Sequence, residues 1–164
     1  MQSYNLTKLN VLILENNKLI RQLMSNVFHE FGVRKGQKTG DPDDAFEMFS
    51  SDAADIIISD WSPEVDGIEF LKRIRSAPES PDPFVPIIIC TGNTEIHHVV
   101  TARDAGMTEF LVKPVSAKTI YSRIVSVIEK HRQFIRVENY FGPDRRRHEA
   151  PAIAVERRKM FAAS

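Results

Sequence analysis

The chain of 164 residues contains one cysteine, Cys90, one tryptophan and no formal net charge. A single cysteine excludes an internal disulfide framework and a zinc site built from several cysteines. No apolar run reaches the roughly 18–20 residues that a membrane-spanning helix needs, and residues 1–10 lack the basic and apolar regions of a secretory signal. Zero charge argues against polyanion binding over the whole surface. We expect a cytoplasmic protein with no membrane span and one domain-sized core.

Short apolar segments recur along the chain, and most are continuous runs rich in β-branched residues. They lie at residues 10–14, 55–59, 86–90 and 109–113. Runs of this length without polar alternation are typical of parallel strands covered on both faces. A weaker segment at residues 33–39 has Val33 as its one apolar residue, and it is predicted to be an edge strand. Cys90 ends an apolar run, which predicts an inert core thiol.

Helical patterns separate the apolar segments. Apolar residues at helical spacing predict helices over residues 19–31, from 42 to about 49, from 67 to about 74, over 94–105 and over 116–131. Asp41-Pro42 has the form of an N-cap followed by proline in the first turn. Strand and helix alternate five times, which predicts an α/β fold, a three-layer doubly wound sandwich around a five-stranded parallel sheet. Ligands of such sheets bind beyond the carboxyl ends of the strands.

Polar residues stand at those strand ends. Each of the following residues ends or follows a predicted strand: Glu15-Asn16, Asp60, Thr91 and Lys113. Oxygen ligands of this kind hold Mg²⁺ together with phosphate oxygens and water. A carboxylate such as Asp60 is also a nucleophile towards phosphorus when a cation and a lysine neutralise the developing charge. The adjacent histidines His97 and His98 point about 100° apart on a helix and are predicted to be surface residues.

In order and spacing, these motifs resemble the receiver domains of bacterial response regulators, the CheY-like family. The resemblance covers residues 8–132 and implies the flavodoxin-like strand order 2-1-3-4-5. It implies that Asp60 is the phosphoacceptor and that Thr91 and Lys113 assist phosphoryl transfer. Phe110 falls on the family's switch aromatic, which responds to movement of Thr91.

The resemblance also implies a Mg²⁺ site, at which this sequence departs from the family twice. Glu15 and Asp60 would hold the ion, but Asn16 stands where a second carboxylate usually contacts it. A neutral amide removes much of the Coulombic attraction for a cation. The loop after Asp60 is one residue shorter than the common pattern, because it lacks a residue between Ser62 and Pro63. The shorter loop puts in doubt whether Ser62 can offer its backbone carbonyl to the metal. A weakened Mg²⁺ site is the expectation.

Residues 133–164 form a basic, arginine-rich tail. From residue 134 onwards the chain has seven basic and four acidic side chains, a net charge of +3, and six of the basic residues are arginine. Arginine rather than lysine favours stacking on bases and bidentate contacts with phosphate or guanine. Tyr140 or Phe141 adds a stacking surface, and Asp144 can accept hydrogen bonds from guanine. The alternatives are a disordered basic tail, a weak membrane-surface helix over residues 153–161, or docking of the tail onto the rest of its own chain.

The tail is similar to arginine-rich extensions on a subset of alphaproteobacterial CheY-like proteins, which bind cyclic di-GMP and act at the flagellar motor or on surface attachment. The residues carried over are Asp144, Arg145, Arg146 and Arg147. Weaker additions are Tyr140, Arg136, Arg157 and Arg158.

Two functions, which can coexist, follow from these resemblances. In one, a single-domain response regulator takes a phosphoryl group from a histidine kinase or phosphotransfer protein and signals by binding an unidentified target. In the other, a cyclic di-GMP effector has a partly degenerate phosphorylation pocket. A passive phosphate sink is a third class.

The tail is too short for a DNA-binding domain, so DNA is not an expected partner, and the chain is expected to be a monomer or weak homodimer. No nucleophile–base set or glycine-rich loop indicates an ordinary enzyme, so activity is limited to gain and loss of the Asp60 phosphoryl group.

Overall fold

The computed structural model describes residues 3–146 and consists of alternating strands and helices followed by a hairpin. In chain order the elements are β1 (Asn10–Leu14), α1 (Lys18–Glu30), β2 (Lys35–Thr39), α2 (Pro42–Ser51), β3 (Ile56–Asp60), α3 (Gly67–Ser76), β4 (Ile87–Thr91), α4 (Ile96–Asp104), β5 (Glu109–Val112), α5 (Ala117–Glu129), β6 (Phe134–Val137) and β7 (Tyr140–Pro143). The described helices include none long and apolar enough to cross a membrane.

The first five strands form one parallel sheet in the order β2-β1-β3-β4-β5, which confirms the predicted fold. Strands β1, β3 and β4 are buried along their whole length, as their continuous apolar sequences require. The edge strand β2 is mostly exposed, which agrees with its lack of apolar residues. All five carboxyl ends meet at one rim because the strands are parallel.

Two apolar cores cover the two faces of the sheet. Residues of α1 and α5 pack on one face, among them Met24, Phe28, Ile120 and Ile124. Residues of α2 and α3 pack on the other, among them Phe46, Phe49, Leu71 and Ile74. Helix α4 contributes only Ala102 as a buried residue among those described, so it is the helix least anchored by apolar burial.

The side chains that begin the helices also fix the ends of the loops at the carboxyl rim. Asn17 accepts hydrogen bonds from two N–H groups of the first turn of α1, and the Asp66 side chain accepts one from α3. The predicted cap Asp41 does the same for α2. In contrast, α4 has no side-chain cap at its start, so its first turn depends on other contacts.

Strands β6 and β7 form an antiparallel hairpin that the sequence did not predict. Residues 134–143 belong to the segment for which a disordered basic tail was one alternative, and that alternative is wrong for these ten residues. Tyr140 is buried, and its hydroxyl donates a 2.7 Å hydrogen bond to the Pro143 carbonyl. An isolated two-stranded hairpin is marginally stable in water, so the packing of this one against the sandwich must stabilise it.

An aromatic cluster joins the hairpin to the proline-rich loop before β4. The rings of Phe84, Phe134 and Phe141 contact one another with centroids 5.3–5.6 Å apart. Next to them, Arg75 at the end of α3 is 3% exposed and lies 5.0 Å from the Phe134 ring centroid. The guanidinium donates to three carbonyls, those of Pro83, Val85 and Gly106. Burial lowers the pKa of Arg75 to about 9, with partial compensation from Asp82 and Tyr140, so these carbonyls hold an arginine that remains charged at neutral pH.

The hairpin approaches the loop between α4 and β5 so closely that two glycines face each other. A Cβ on Gly142 would lie 2.7 Å from Gly106 Cα and 2.7 Å from the Tyr140 hydroxyl. Real Cβ atoms do not approach backbone this closely, so only glycine fits at position 142. Gly106 and Phe84 each precede a strand, and Arg75 ends a helix that leads into β4. The hairpin therefore covers the amino-terminal edge of the sheet, opposite the carboxyl rim.

Replacing Gly142 with alanine is expected to loosen the hairpin without unfolding the sandwich. The added methyl group costs about 1–3 kcal/mol of docking free energy because it overpacks the contact with Gly106. Hydrogen–deuterium exchange should become faster in residues 134–143 and stay slow in β1, β3 and β4. Gly36→Ala is the control, because its Cβ meets its nearest neighbour at 3.8 Å. Unchanged exchange in the Gly142→Ala hairpin would contradict the proposed close packing.

Candidate functional site

Lys113 lies between two buried carboxylates at the carboxyl rim. Its Nζ is 2.8 Å from Asp60 Oδ1 and 2.8 Å from Glu15 Oε2. Both carboxylate side chains are 1% exposed, and the lysine side chain is 19% exposed. The sequence prediction that these three residues converge is thus what the structure shows.

Each of the three side chains is placed by a different strand. Glu15 follows β1 and donates its backbone N–H to Thr39 on the edge strand. Asp60 ends the central strand β3, and its backbone pairs with Cys90. Lys113 follows β5, and its N–H donates to the Thr91 carbonyl. Parallel pairing therefore brings together residues up to 98 positions apart in the sequence, 15 and 113.

The pocket has two negative charges and one positive charge. Burial lowers the pKa of Lys113, but its contacts with Asp60 and Glu15 outweigh that effect and raise it above the ordinary value. The amine is therefore charged at neutral pH, and the Glu15, Asp60 and Lys113 trio carries one uncompensated negative charge. Neighbouring Cys90 is fully buried, and burial raises the pKa of its thiol to about 12. It is a core thiol, as predicted.

Glu15 has the features expected of a cation ligand. Its Oε1 accepts a 2.9 Å hydrogen bond from the Asn17 N–H. Its Oε2 is buried and is paired with the Lys113 ammonium at 2.8 Å. Residues 3–146 contain no cluster of three or more His, Cys, Asp or Glu suited to a metal. The oxygen ligands that the pocket offers are the two carboxylates of Glu15 and Asp60, and Mg²⁺ commonly takes one or two carboxylates from a protein and completes its shell with water and phosphate oxygens.

The two other candidate metal ligands differ from the carboxylates in placement. The Asn16 side chain is exposed and forms no hydrogen bond within residues 3–146, while Arg21 holds its carbonyl and that of Glu15. In the shortened loop, Ser62 and Val65 exchange backbone hydrogen bonds of 3.1 and 3.3 Å. The Ser62 carbonyl is thus already bonded within the loop. The Ser62 hydroxyl donates a 2.8 Å hydrogen bond to Asp60 Oδ2, and the sequence did not predict this contact.

Thr91 is buried at the end of β4, and its hydroxyl contacts a histidine. His98 Nε2 lies 3.3 Å from Thr91 Oγ1, and the same oxygen accepts from the Asn93 N–H at 3.2 Å. The His98 ring stacks on Trp61 with centroids 3.4 Å apart. The prediction of a surface residue is wrong for His98, which is half-buried, and correct for its neighbour His97, which is 77% exposed. Burial and His97 lower the pKa of His98, so the ring is neutral at pH 7.

Phe110 on β5 lies on the side of the sheet covered by α2 and α3. It is half-buried against that core, and its backbone pairs with Ile89 of β4. Trp61, beside Asp60, packs against the same core. The structure therefore places the predicted switch aromatic against the apolar layer on this side of the sheet.

The candidate ligand-binding residues of the tail lie away from the pocket, on and after the hairpin. The Arg145 guanidinium lies 4.0 Å from the Tyr140 ring centroid and 3.1 Å from the Asp104 carboxylate at the end of α4. Arg146 contacts Asp144 at 3.3 Å. Arg136 lies over the Phe141 ring at 4.1 Å. The remaining candidates, Arg147, Arg157 and Arg158, are outside the described residues.

Comparisons with known proteins agree with this geometry. The sequence model of the family of response regulator receiver domains matches residues 11–125. Chemotaxis protein CheY-3 of Vibrio cholerae is 26% identical over 121 residues, which cover 73% of this chain and 92% of that protein. The structure of the Vibrio cholerae chemotaxis protein CheY4 superimposes with a TM-score of 0.66 at 28% identity, covering 73% of this chain and 98% of that one.

A longer relative matches this chain over only part of its own length. The cyclic di-GMP phosphodiesterase response regulator RpfG of Xanthomonas campestris is 30% identical over 129 residues. The match covers 76% of this chain but 33% of RpfG. The likeness therefore concerns a third of that protein.

Alanine at Gly67 is expected to disturb the backbone of Asp60 directly. A Cβ there would collide with the carbonyl oxygen of Asp60 and lie 3.1 Å from Ser59 Oγ. The collision forces α3 and the end of β3 apart and costs about 1–3 kcal/mol of folding free energy. Chemical denaturation followed by Trp61 fluorescence measures the loss. Gly92→Ala is the matched control, since its Cβ meets nothing within 4 Å. Equal midpoints for the two variants would show that Gly67 is not needed at this contact.

Proposed function

Since the chain belongs to the response regulator receiver domain family of two-component signalling, we propose that it accepts a phosphoryl group on Asp60 and signals by binding another protein. The observation that carries the proposal is the 2.8 Å contact between Lys113 Nζ and Asp60 Oδ1 in a buried pocket. A buried carboxylate beside an amine is arranged to form an acyl phosphate, since the amine neutralises charge on the incoming group.

In the proposed reaction, a carboxylate oxygen of Asp60 attacks the phosphorus of a phosphohistidine on a kinase or phosphotransfer protein. The oxygen–phosphorus bond forms, the phosphorus–nitrogen bond breaks, and the leaving imidazole takes the electron pair. Lys113 then pairs with a phosphoryl oxygen, and the Thr91 hydroxyl donates a hydrogen bond to another. Water later hydrolyses the acyl phosphate and regenerates the carboxylate. No other enzyme activity is proposed.

Mg²⁺ would be held by the carboxylates of Glu15 and Asp60, and when bound it supplies positive charge to the phosphoryl oxygens. The excess of carboxylates over ammonium groups in the pocket, two against one, supports this assignment. Asn16 lowers the negative charge relative to a pocket with two leading acids, so the affinity is expected to be weak.

The output of the proposed switch is a change at α4, β5 and α5. Movement of Thr91 towards the phosphoryl group frees space into which Phe110 turns, a shift between two packings. Ile96 on α4 and Val112 on β5 are already 81% and 39% exposed, and they offer apolar contacts to a target. The likeness to chemotaxis proteins makes the flagellar motor or attachment machinery the proposed target, and a cytoplasmic location follows from that role.

Incubation with acetyl phosphate and Mg²⁺ tests the reaction. Intact-protein mass spectrometry should show the addition of one phosphoryl group to the wild type and to Asp52→Asn, whose side chain lies at the far end of α2. Asp60→Asn should add none, because an amide is not a nucleophile towards phosphorus. An unmodified wild type at millimolar donor, or equal modification of Asp60→Asn, would refute the proposal.

A carboxylate at position 16 is expected to strengthen the metal site. Asn16→Asp adds a negative charge beside Glu15 and should raise the Mg²⁺ affinity by about tenfold, because the attraction acts over a few ångströms near the protein surface. A Mg²⁺ titration of Trp61 fluorescence measures it. Asn26→Asp on the exposed side of α1 is the control with the same net charge. If both variants change the affinity equally, the effect is one of total charge and not of the pocket.

A second function, binding of cyclic di-GMP by the tail, is supported by the contacts of Arg145. This side chain stacks on Tyr140, and Arg146 lies next to Asp144, so guanidinium, aromatic and carboxylate groups meet at the end of the hairpin. Guanine and phosphate are recognised by these groups. The proposal adds a ligand to the receiver and does not replace the reaction at Asp60.

Calorimetry with cyclic di-GMP tests this second function. The wild type and Arg123→Ala, an arginine of α5 paired with Glu109, should bind the dinucleotide. Arg145→Ala combined with Arg146→Ala should lose at least about tenfold in affinity, since two charge-assisted contacts to phosphate or guanine are removed. Absence of measurable heat with the wild type, or equal affinity for all three proteins, would end the proposal.

A further inference from the structure

His98 joins two residues that flank the proposed acceptor. Its ring stacks on Trp61, which directly follows Asp60, with planes 11° apart. Its Nε2 contacts the hydroxyl of Thr91 at 3.3 Å. His98 lies in the first turn of α4, which has no side-chain cap and little apolar burial. These two contacts therefore attach the start of a loosely held helix to the pocket.

The Thr91 hydroxyl has a single proton, and it cannot give this proton to two acceptors at once. The oxygen also accepts from the Asn93 N–H at 3.2 Å, and the direction of its bond to His98 depends on the tautomer of the ring. We assign the tautomer with the proton on Nδ1, in which Nε2 accepts the hydroxyl proton of Thr91. A phosphoryl oxygen on Asp60 requires the same proton. The bond to the histidine and the bond to the phosphoryl group are thus mutually exclusive.

We propose that His98 is a positioning residue that holds the Thr91 hydroxyl in the unphosphorylated state and so opposes the phosphorylated one. The inference rests on the proposed function of Asp60. When Thr91 turns to the phosphoryl group, His98 loses its hydrogen bond, and its stack on Trp61 becomes the remaining attachment of the first turn of α4 to the pocket. Phosphorylation of Asp60 would thereby change how α4 is held, through the His98 side chain alone. The strength of the hydrogen bond between His98 and Thr91 sets the ratio of the unphosphorylated and phosphorylated conformations.

Beryllofluoride with Mg²⁺, a stable substitute for the phosphoryl group, tests the inference as an equilibrium. Calorimetry is the method, because changes at His98 alter Trp61 fluorescence directly. His98→Ala and His98→Phe both lack the acceptor, and their affinity for beryllofluoride should rise about threefold to tenfold, the effect of one lost hydrogen bond. His98→Gln retains an acceptor at similar reach and should stay within about twofold of the wild type.

His97→Ala is the matched control, since its side chain is 77% exposed and pairs with Glu95 at 3.3 Å, away from Thr91 and Trp61. It should bind beryllofluoride as the wild type does. A general structural defect would weaken binding, so the expected gain separates positioning from damage. His98→Phe keeps an aromatic ring over Trp61, and a gain in this variant assigns the restraint to the hydrogen bond and not to the stack.

The outcomes distinguish the inference from the function on which it rests. If the wild type and all variants bind beryllofluoride equally, His98 does not restrain Thr91, but the function of Asp60 stands. If His98→Ala gains affinity and His98→Phe does not, the stack is the restraint and the inference is overturned. If neither the wild type nor any variant binds beryllofluoride, the proposed function fails and the inference fails with it.

Discussion

The contact of one lysine with two buried carboxylates is the constraint on which the carboxyl rim depends. Glu15 and Asp60 each pair with Lys113 at 2.8 Å, and either carboxylate without a cation would be a costly buried charge. The amine reaches both because β5 lies beside β4, and β3 lies between β4 and β1. The strand order is therefore what allows one lysine to pair with both carboxylates. A phosphoryl group or a metal ion that enters the pocket must change these contacts.

Helix α4 is held by polar contacts at both ends rather than by its apolar face. At its start, His98 contacts the pocket residues Thr91 and Trp61. At its end, Asp104 stands at the negative end of the helix dipole, which is unfavourable unless cations compensate, and Arg145 from beyond the hairpin contacts it at 3.1 Å. Contacts of this kind exchange partners readily, because each contributes little to the free energy of folding. The pocket and the tail thus act on opposite ends of the same weakly buried element.

The sequence was sufficient for the sandwich and for the convergence of Glu15, Asp60 and Lys113, because buried parallel strands have continuous apolar runs and parallel pairing aligns their ends. It was insufficient for the hairpin at residues 134–143. That element is stabilised by partners distant in sequence, such as Phe84 and Gly106, and these leave no local periodicity. His98 was missed for a related reason. Helical spacing separates it from His97 by about 100° but does not say which of the two faces the sheet.

The tail arginines that the structure describes already have partners within the protein. Arg145 is engaged by Tyr140 and Asp104, and Arg146 by Asp144, so any anion must displace these contacts. The displacement costs little, since the side chains of Arg145 and Asp104 are 37% and 47% exposed and such surface pairs contribute about 0–1 kcal/mol each. Loss of Arg145 from Asp104 would leave that carboxylate opposed to the helix dipole, with Arg103 as its remaining cationic contact among the described residues. An anion bound at the tail would therefore weaken the contacts at the end of α4, while a phosphoryl group at Asp60 would remove one of the two contacts of His98 at its start.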